Sequence, residues 1–499
     1  MLRKIFRDNT TLLLLAALLL LAVFMVWQLT RVGVADSLHA TVASVTAGGT
    51  NVKEVIASLD GTPVSRPQLK PQRWRSKNGA RVYFLPAPEL PMLDIRIVFD
   101  AGGARDGGLN GLARFTSAMI GEGTPRLSVD EINEGFEAVG ARFHTASYRD
   151  MAVVELRSLT TPDLLNPSLA LFADVVAKPS FPKDAVDRTR GQMLVGLERD
   201  EEEPGTIASR AFMATLYLVH PYATPPEGTT ETVPTIRVED LRAFHQRYYV
   251  ARNAVVAIAG AVDRVQAEKI ADQITAGLAE GQPATQLPAP PDTRGGNFHV
   301  KFSSKQTHIL LGLPAIKRND PDEAALMVAN EVLGGGGLTS LLAEEIRNKR
   351  GLAYSAGSSF QPMRAAGPFV VSMQTRNESA GEALGVTLET LKKFAKEGPT
   401  AQQLDDARRQ LVGSYPLQLA GNSSLVSTLG MMGFYNLPDD YLERQLAGIE
   451  SATAEQVRDA FARHVPVDKL MVITLGPEKP VPTTVPSQKS VAPKPAAAR

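Results

Sequence analysis

Hydrophobic positions along the chain fall into two successive runs that repeat the same order of patterns. In the first run, Leu93–Gly102 (LDIRIVFDAG) is a short apolar stretch that predicts a strand. Leu112, Phe115 and Met119 then recur at helical spacing and predict an amphipathic helix over Leu112–Gly121. A second helix is predicted from Ser128 to Val139, with Ser128 as N-cap and Glu131 placed to close a capping box. Strands follow in ARFHTASYRD and MAVVELRSL, then helices between Thr161 and Leu218, then a strand AVVAIAG ending at Gly260. The second run opens with a strand at Thr307–Ile316 and continues with a helix over Asp322–Leu333 and another from Thr339. Strands YSAGSSFQ and GPFVVSMQTR, further helices and a strand KLMVITLG ending at Gly476 complete it. Strands, helices and a closing strand, twice over, predict two α+β units.

Composition sets the boundaries. The stretch GLAEGQPATQLPAPPDTRGG breaks both helix and strand and reads as a linker, 277–296, between units at 72–276 and 297–476. Residues 477–499, rich in Pro, Ala, Lys and Ser, read as a disordered tail. Near the start, Arg3, Lys4 and Arg7 precede an apolar run from Leu12 to Trp27, continued by Gln28 and Leu29. That run is long enough for a bilayer, so residues 1–30 are expected to be an uncleaved transmembrane anchor, with a stalk at 31–71. The placement is then a single-pass bacterial inner-membrane protein with its bulk in the periplasm. The alternative is a signal peptide cut before Asp36, after Gly33 and Ala35, which leaves a soluble periplasmic protein.

Lys+Arg and Asp+Glu both number 53, for a formal net charge of zero. A balanced chain lacks the basic surplus that nucleic-acid binding requires, so no nucleic-acid partner is expected. There is no cysteine, which removes disulfides, thiolate zinc sites and a cysteine nucleophile. The seven histidines, His39, His144, His220, His245, His299, His308 and His464, are scattered, with no two spaced i, i+3 or i, i+4. The acid run Asp200–Glu203 reads as a solvated turn rather than a calcium loop, because consecutive acids on a helix point in different directions. Gly334–Gly337 is followed by Leu338, Thr339 and Ser340 with no lysine, so it is a turn capped by Thr339 or Ser340 rather than a phosphate loop.

Two motifs carry a family resemblance. GLARFTSAMIGEGT (Gly111–Thr124) resembles the zinc-site helix of the pitrilysin-like (inverzincin) metallopeptidases, whose pattern reads G-L-A-H-F-x-E-H-M. LGGGGLTSLLAEEIRNKRGLAYS (Leu333–Ser355) resembles the stretch of the second half of that family that reaches across to the metal. The resemblance spans roughly Trp74–Leu475 and implies two homologous α/β halves facing each other across a cleft. It places the first metal-binding histidine on Arg114, the catalytic glutamate on Ser117 and the second histidine on Ala118. The third ligand falls near Val195 or Gly196. None of these residues can hold zinc, so no metal or other cofactor is expected in this chain. The resemblance further places substrate-holding positions on His144 and Thr145, and an oxyanion-stabilising arginine and tyrosine on Arg347 and Tyr354. The alternative for that pair is plain structure, with Arg347 bridging Glu344 or Glu345 and Tyr354 packed in a strand.

Some members of the family work as two chains, one with zinc and one without. The resemblance therefore implies a zinc-free subunit of a heteromeric, membrane-tethered metallopeptidase, with a zinc-binding relative and a peptide as partners. The alternative is a catalytically inert structural or peptide-binding homologue, like the core subunits of respiratory complex III.

Overall fold

Each repeated pattern folds into one twisted sheet, and the two sheets share a single strand order. The structure is a computed structural model that describes residues 70–292 and 294–483. The expected anchor and nearly all of the stalk lie outside the described residues. Among the described residues no helix is long and apolar enough to cross a membrane.

The first half runs β1 (Gln72–Arg75), β2 (Arg81–Pro86), β3 (Met92–Phe99), α1 (Leu112–Ala118), α2 (Val129–Ala138), β4 (Arg142–Ser147) and β5 (Ala152–Leu159). It continues with α3 (Pro162–Ala177), α4 (Lys183–Glu202), α5 (Pro204–Tyr217), α6 (Val238–Tyr248), β6 (Ala254–Gly260) and α7 (Arg264–Thr275). The second half runs β7 (Gly296–Lys301), β8 (Gln306–Ile316), α8 (Glu323–Asn330), β9 (Ala353–Phe360) and β10 (Gly367–Arg376). Helices α9 (Ala380–Glu397), α10 (Ala401–Gln418), α11 (Asn422–Phe434), α12 (Tyr441–Ser451) and α13 (Ala454–His464) lead to β11 (Met471–Gly476).

The sheet orders are β1-β2-β6-β3-β5-β4 and β7-β11-β8-β10-β9. The pairs β2/β6 and β7/β11 are parallel, and the remaining pairs are antiparallel. The second sheet is thus the first without β1, as an internal duplication requires. Strands β4 and β9 occupy equivalent edges. The capping box at Ser128 and Glu131 forms as the sequence predicts.

Strand β6 is buried along its whole length, which a sheet allows only when both faces are covered. Val256 and Ile258 face the core built by the first half's own helices. Val255, Ala257 and Ala259 face the other way, against Leu425, Val426, Leu429 and Met432 of α11 from the second half. Gly433 permits that approach, since a Cβ there would lie 2.4 Å from Val255 Cγ1. The exchange is reciprocal. Helix α5 of the first half lies on β8 and β11 of the second, burying Phe212, Leu216 and Tyr217 among Ile309, Leu311 and Ile473. Neither run of sequence closes its own core.

A buried carboxylate ties the exchange together. Asp150, 4% exposed, accepts hydrogen bonds from Tyr222 OH (2.5 Å), from the Arg364 backbone N–H (2.8 Å) and from Tyr435 OH (3.2 Å). Tyr222 OH in turn accepts from the Ala365 N–H, and Tyr217 OH donates to Ala366 O. Arg364 also reaches Asp100, which Arg105 holds at 2.8 Å. The linker is pinned to the first half through Ala284 N–H to Asn253 Oδ1, and His220 Nε2 bonds Pro288 O. After β11 the chain continues along α9, where Thr483 N–H donates to Gly381 O.

Two outcomes follow from this packing. Asp150→Ala strands two buried hydroxyls and an amide, so it should cost about 3 kcal/mol or more by denaturant titration, as loss of a buried multiply bonded charge does. His245, on α6 beneath α1, bonds Val176 O and stacks on Tyr249. Burial pushes its pKa down from 6.5 to about 4. The unfolded chain therefore binds the extra proton between those values, and stability present above pH 6.5 falls as the pH drops toward 4, by up to about 3 kcal/mol. His245→Gln should flatten that slope in melts across this range.

Candidate functional site

The site is organised by the start of α1. Asp106 is buried and accepts from the backbone N–H groups of Gly111 (2.7 Å) and Ala113 (2.8 Å), so its carboxylate caps the helix. Burial pushes its pKa up to about 7 against those two bonds. Gly111 has φ 94, and a Cβ there would lie 2.9 Å from Gly228 Cα, so only glycine suits the turn that aims α1.

Helix α1 presents Arg114 and Ala118 to a cavity of about 320 Å³ whose opposite wall is α4. On α4, Gln192, Gly196 and Arg199 line it, with Glu227 closing one side. Gly196, rather than the exposed Val195, is the residue of α4 that faces Ala118 across this space. A larger cavity of about 530 Å³ adjoins it, sharing Asp200 and Glu227, and runs on to Leu310 and Val370 of the second sheet. Together they form the cleft between the halves that the family resemblance implies.

Zinc requires imidazole, thiolate or carboxylate donors converging at about 2 Å. Ala118 and Gly196 offer no donor atom, and Arg114 is a permanent cation. Ser117 is 2% exposed and does not line the cavity. Glu198 is exposed and lies outside it too. The residues present do not fit a zinc ion, and Ser117, where the resemblance places the base, has no carboxylate and lies outside the cavity.

The remaining charges are partly neutralised. Asp200 pairs with Arg210 at 2.9 Å. The Arg149 guanidinium donates to Tyr222 O and Thr224 O, both at 2.6 Å. Arg114 and Arg199 have no ion-pair or hydrogen-bond partner among the described residues. The acid run disperses as expected, with Glu201 accepting from Thr230 Oγ1 and Glu203 preceding α5.

His144 and Thr145 lie on the edge strand β4, His144 exposed and Thr145 half-buried, paired to Glu155 and Val154 of β5. They stand on the edge of the sheet and line neither cavity. Arg347 lies in a wide helical turn, Ala343–Asn348, and Tyr354 near the start of the edge strand β9. The structure brings these two together: the guanidinium sits 5.0 Å from the centre of the tyrosine ring. Glu344 and Glu345 engage Asn348, Lys349 and Arg350 instead of Arg347. Tyr354 is 84% exposed, and neither member of the pair lines either cavity. Ser340 caps the turn after the glycines, as expected.

Asp320, Asp322 and His464 also converge, in the second half. Arg463 holds both oxygens of Asp322 at 2.8 Å, so this group is already charge-paired. Sequence reasoning did not single out Arg149, Arg199, Glu227 or Asp106. Gln192, Gly196 and Arg199 do share one face of α4 at helical spacing, and that periodicity is the signal that could have found the wall.

With this geometry in place, comparison with known proteins gives a consistent result. Residues 87–230 match the family described as Insulinase (Peptidase family M16), and residues 235–411 match the Peptidase M16 inactive domain. A crystal structure of a peptidase M16 inactive domain from Pseudomonas fluorescens is 42% identical, with a TM-score of 0.81, and its whole length aligns with 83% of this chain. An uncharacterized zinc protease of Mycobacterium bovis is 29% identical over 82% of this chain and 94% of its own length. A protein of Helicobacter pylori described as non-peptidase homolog YmxG is 24% identical over 76% of this chain and 88% of its own. The chain is a two-domain metallopeptidase-like protein, and it belongs to the M16 (insulinase) peptidase family. Within that family it lacks the residues that would bind zinc.

Metal analysis of the purified protein should find no stoichiometric zinc. The triple change Arg114→His, Ala118→His and Gly196→Glu should introduce it, because a Cβ at Gly196 meets nothing within 4 Å. One zinc per wild-type chain contradicts the assignment of the site.

Proposed function

We propose that this protein is the zinc-free subunit of a heteromeric M16 metallopeptidase. In this reading it binds peptide in its cleft and supplies Arg347 and Tyr354 to the zinc site of a second, metal-bearing chain. The N-terminal apolar run supports tethering of the complex to the bacterial inner membrane, with its bulk in the periplasm. The observation that carries the reading is the Arg347–Tyr354 pair. Its two side chains are held together at 5.0 Å, with the tyrosine 84% exposed, and they serve no cavity of their own chain. A guanidinium and a phenol are donors suited to a developing oxyanion. The open edges β4, with His144 and Thr145, and β9 can each pair with an extended peptide through the backbone.

A second reading, a catalytically inert structural or peptide-binding homologue, is favoured by the similarity to proteins described as an inactive domain and a non-peptidase homologue. Co-purification from membranes separates the two. The first expects a relative with an intact H-x-x-E-H motif to co-elute and the pair to cleave peptides. Arg347→Ala or Tyr354→Phe should then lower turnover by about 10²–10³, as lost oxyanion donors do. Wild-type turnover in both variants would leave only the inert reading.

A further inference from the structure

We infer that the emptied zinc site has become a carboxylate-binding subsite, in which Arg114 and Arg199 take the acidic group of an anionic peptide. This rests on the peptide-binding part of the proposed function and adds the chemical class of ligand.

The cavity between α1 and α4 is shaped by loss. Ala118 contributes a methyl group and Gly196 none, which opens about 320 Å³ where a metal with its ligands would otherwise stand. Into that space α1 directs one guanidinium, Arg114, and α4 directs another, Arg199, with the amide of Gln192 beside them. Neither arginine is spent on the protein itself. The other arginines of the cleft are committed, Arg210 to Asp200 and Arg149 to two backbone carbonyls. Both are exposed and solvated by water in the empty protein, so they are free to turn to an anion, and a planar fork of N–H donors matches a carboxylate in geometry as well as charge.

Glu227 is the one opposing charge in the wall that no arginine holds within bonding distance, and its field reaches Arg149. It limits the subsite to a single acidic group, since a second would meet Glu227 directly. The adjoining 530 Å³ cavity, with Phe212, Leu310 and Val370 in its lining, takes the less polar residues that follow. No bond is made or broken. The site holds a peptide by its charge and lacks the base and the Lewis acid needed to cleave it.

The carboxylate can be an acidic side chain or a chain terminus, and three labelled octapeptides of Ala, Ser and Val separate these sources. The first carries one internal Glu and an amidated end, and the second no acidic side chain and a free C-terminal carboxylate. The third carries Gln for Glu and an amidated end. Fluorescence anisotropy with the full-length protein at low salt should show one of the first two binding at least roughly tenfold tighter than the third, the gain of a charge-assisted pair. Raising salt should shrink that difference. Arg114→Ala should abolish it, Arg114→Lys should keep part of it, and Glu227→Gln should enlarge it. Arg444→Ala, which removes a surface arginine paired to Asp440, should change nothing. Equal affinity for all three peptides, no binding of any, or a preference that survives in both Arg114→Ala and Arg199→Ala overturns the inference. If a zinc-bearing relative co-purifies while the peptides bind alike, the subsite falls and the heteromeric function stands. Carboxylate-dependent binding without such a relative gives the reverse.

Discussion

The buried carboxylate of Asp150 is the point on which the two halves depend. A charge that is 4% exposed is tolerable only where donors surround it, and its three donors come from both runs of sequence. Tyr222 belongs to the first half, while the Arg364 amide and Tyr435 belong to the second. The same region carries the exchanged helices: Tyr222 follows α5, which covers the second sheet, and Tyr435 follows α11, which covers the first. Apolar burial by α5 and α11 supplies most of the attraction, since hydrophobic contact is strong but indifferent to direction. The Asp150 network supplies the direction, fixing how one half is turned against the other and so the width and lining of the cleft.

That fixed cleft explains how a site can lose its chemistry and keep its shape. Helix α1 is aimed by the Asp106 cap and the left-handed turn at Gly111, and it is supported from below by α6 with His245. None of these groups is a metal ligand. Arg114, Ala118 and Gly196 stand on that scaffold and offer a metal ion no donor atom. What changes is the electrostatics. Where the resemblance places the first metal-binding histidine, the cavity holds the Arg114 guanidinium, which cannot polarise water as a divalent cation does.

Much of this was legible in the sequence. The repeated order of patterns gave two sheets of one topology, and the strands LDIRIVFDAG, AVVAIAG and KLMVITLG fell where period and apolar content placed them. The capping box at Ser128 and the Gly334–Ser340 turn were read from residues whose local hydrogen bonds decide the structure. Strands β1, β2 and β7 were not anticipated. β7 (GNFHVK) has little apolar content and gains its strand state from parallel pairing with β11, a contact remote in sequence. The helix expected over Asp322–Leu333 ends its regular part at Asn330 and widens into a looser turn at Glu331–Gly335. There Gly334 packs so closely on β9 that a Cβ would lie 2.3 Å from Ser358 N. The helix exchange was invisible for a related reason. The amphipathic faces of α5 and α11 state that something covers them, but not that the cover belongs to the other half. The motif comparison located Arg114, Ser117 and Ala118, yet only the fold shows that Ser117 turns into the core while Arg114 and Ala118 turn into the cavity.

The Arg347–Tyr354 pair and the emptied metal site point in opposite directions along the chain, and together they constrain function more than either does alone. Tyr354, exposed near the start of an edge strand beside the Arg347 guanidinium, gains less from that surface cation–π contact than it would from burial. Arg114 and Arg199 line the cavity between α1 and α4 and are exposed to water, with no ion-pair or hydrogen-bond partner among the described residues. The Arg347–Tyr354 pair is open to solvent and lines neither of the two cavities. An anion entering the cavity between α1 and α4 would be charge-matched to the two guanidiniums there. The protein thus keeps two sets of donors open to solvent, a guanidinium with a phenol beside a sheet edge and two guanidiniums in the cleft.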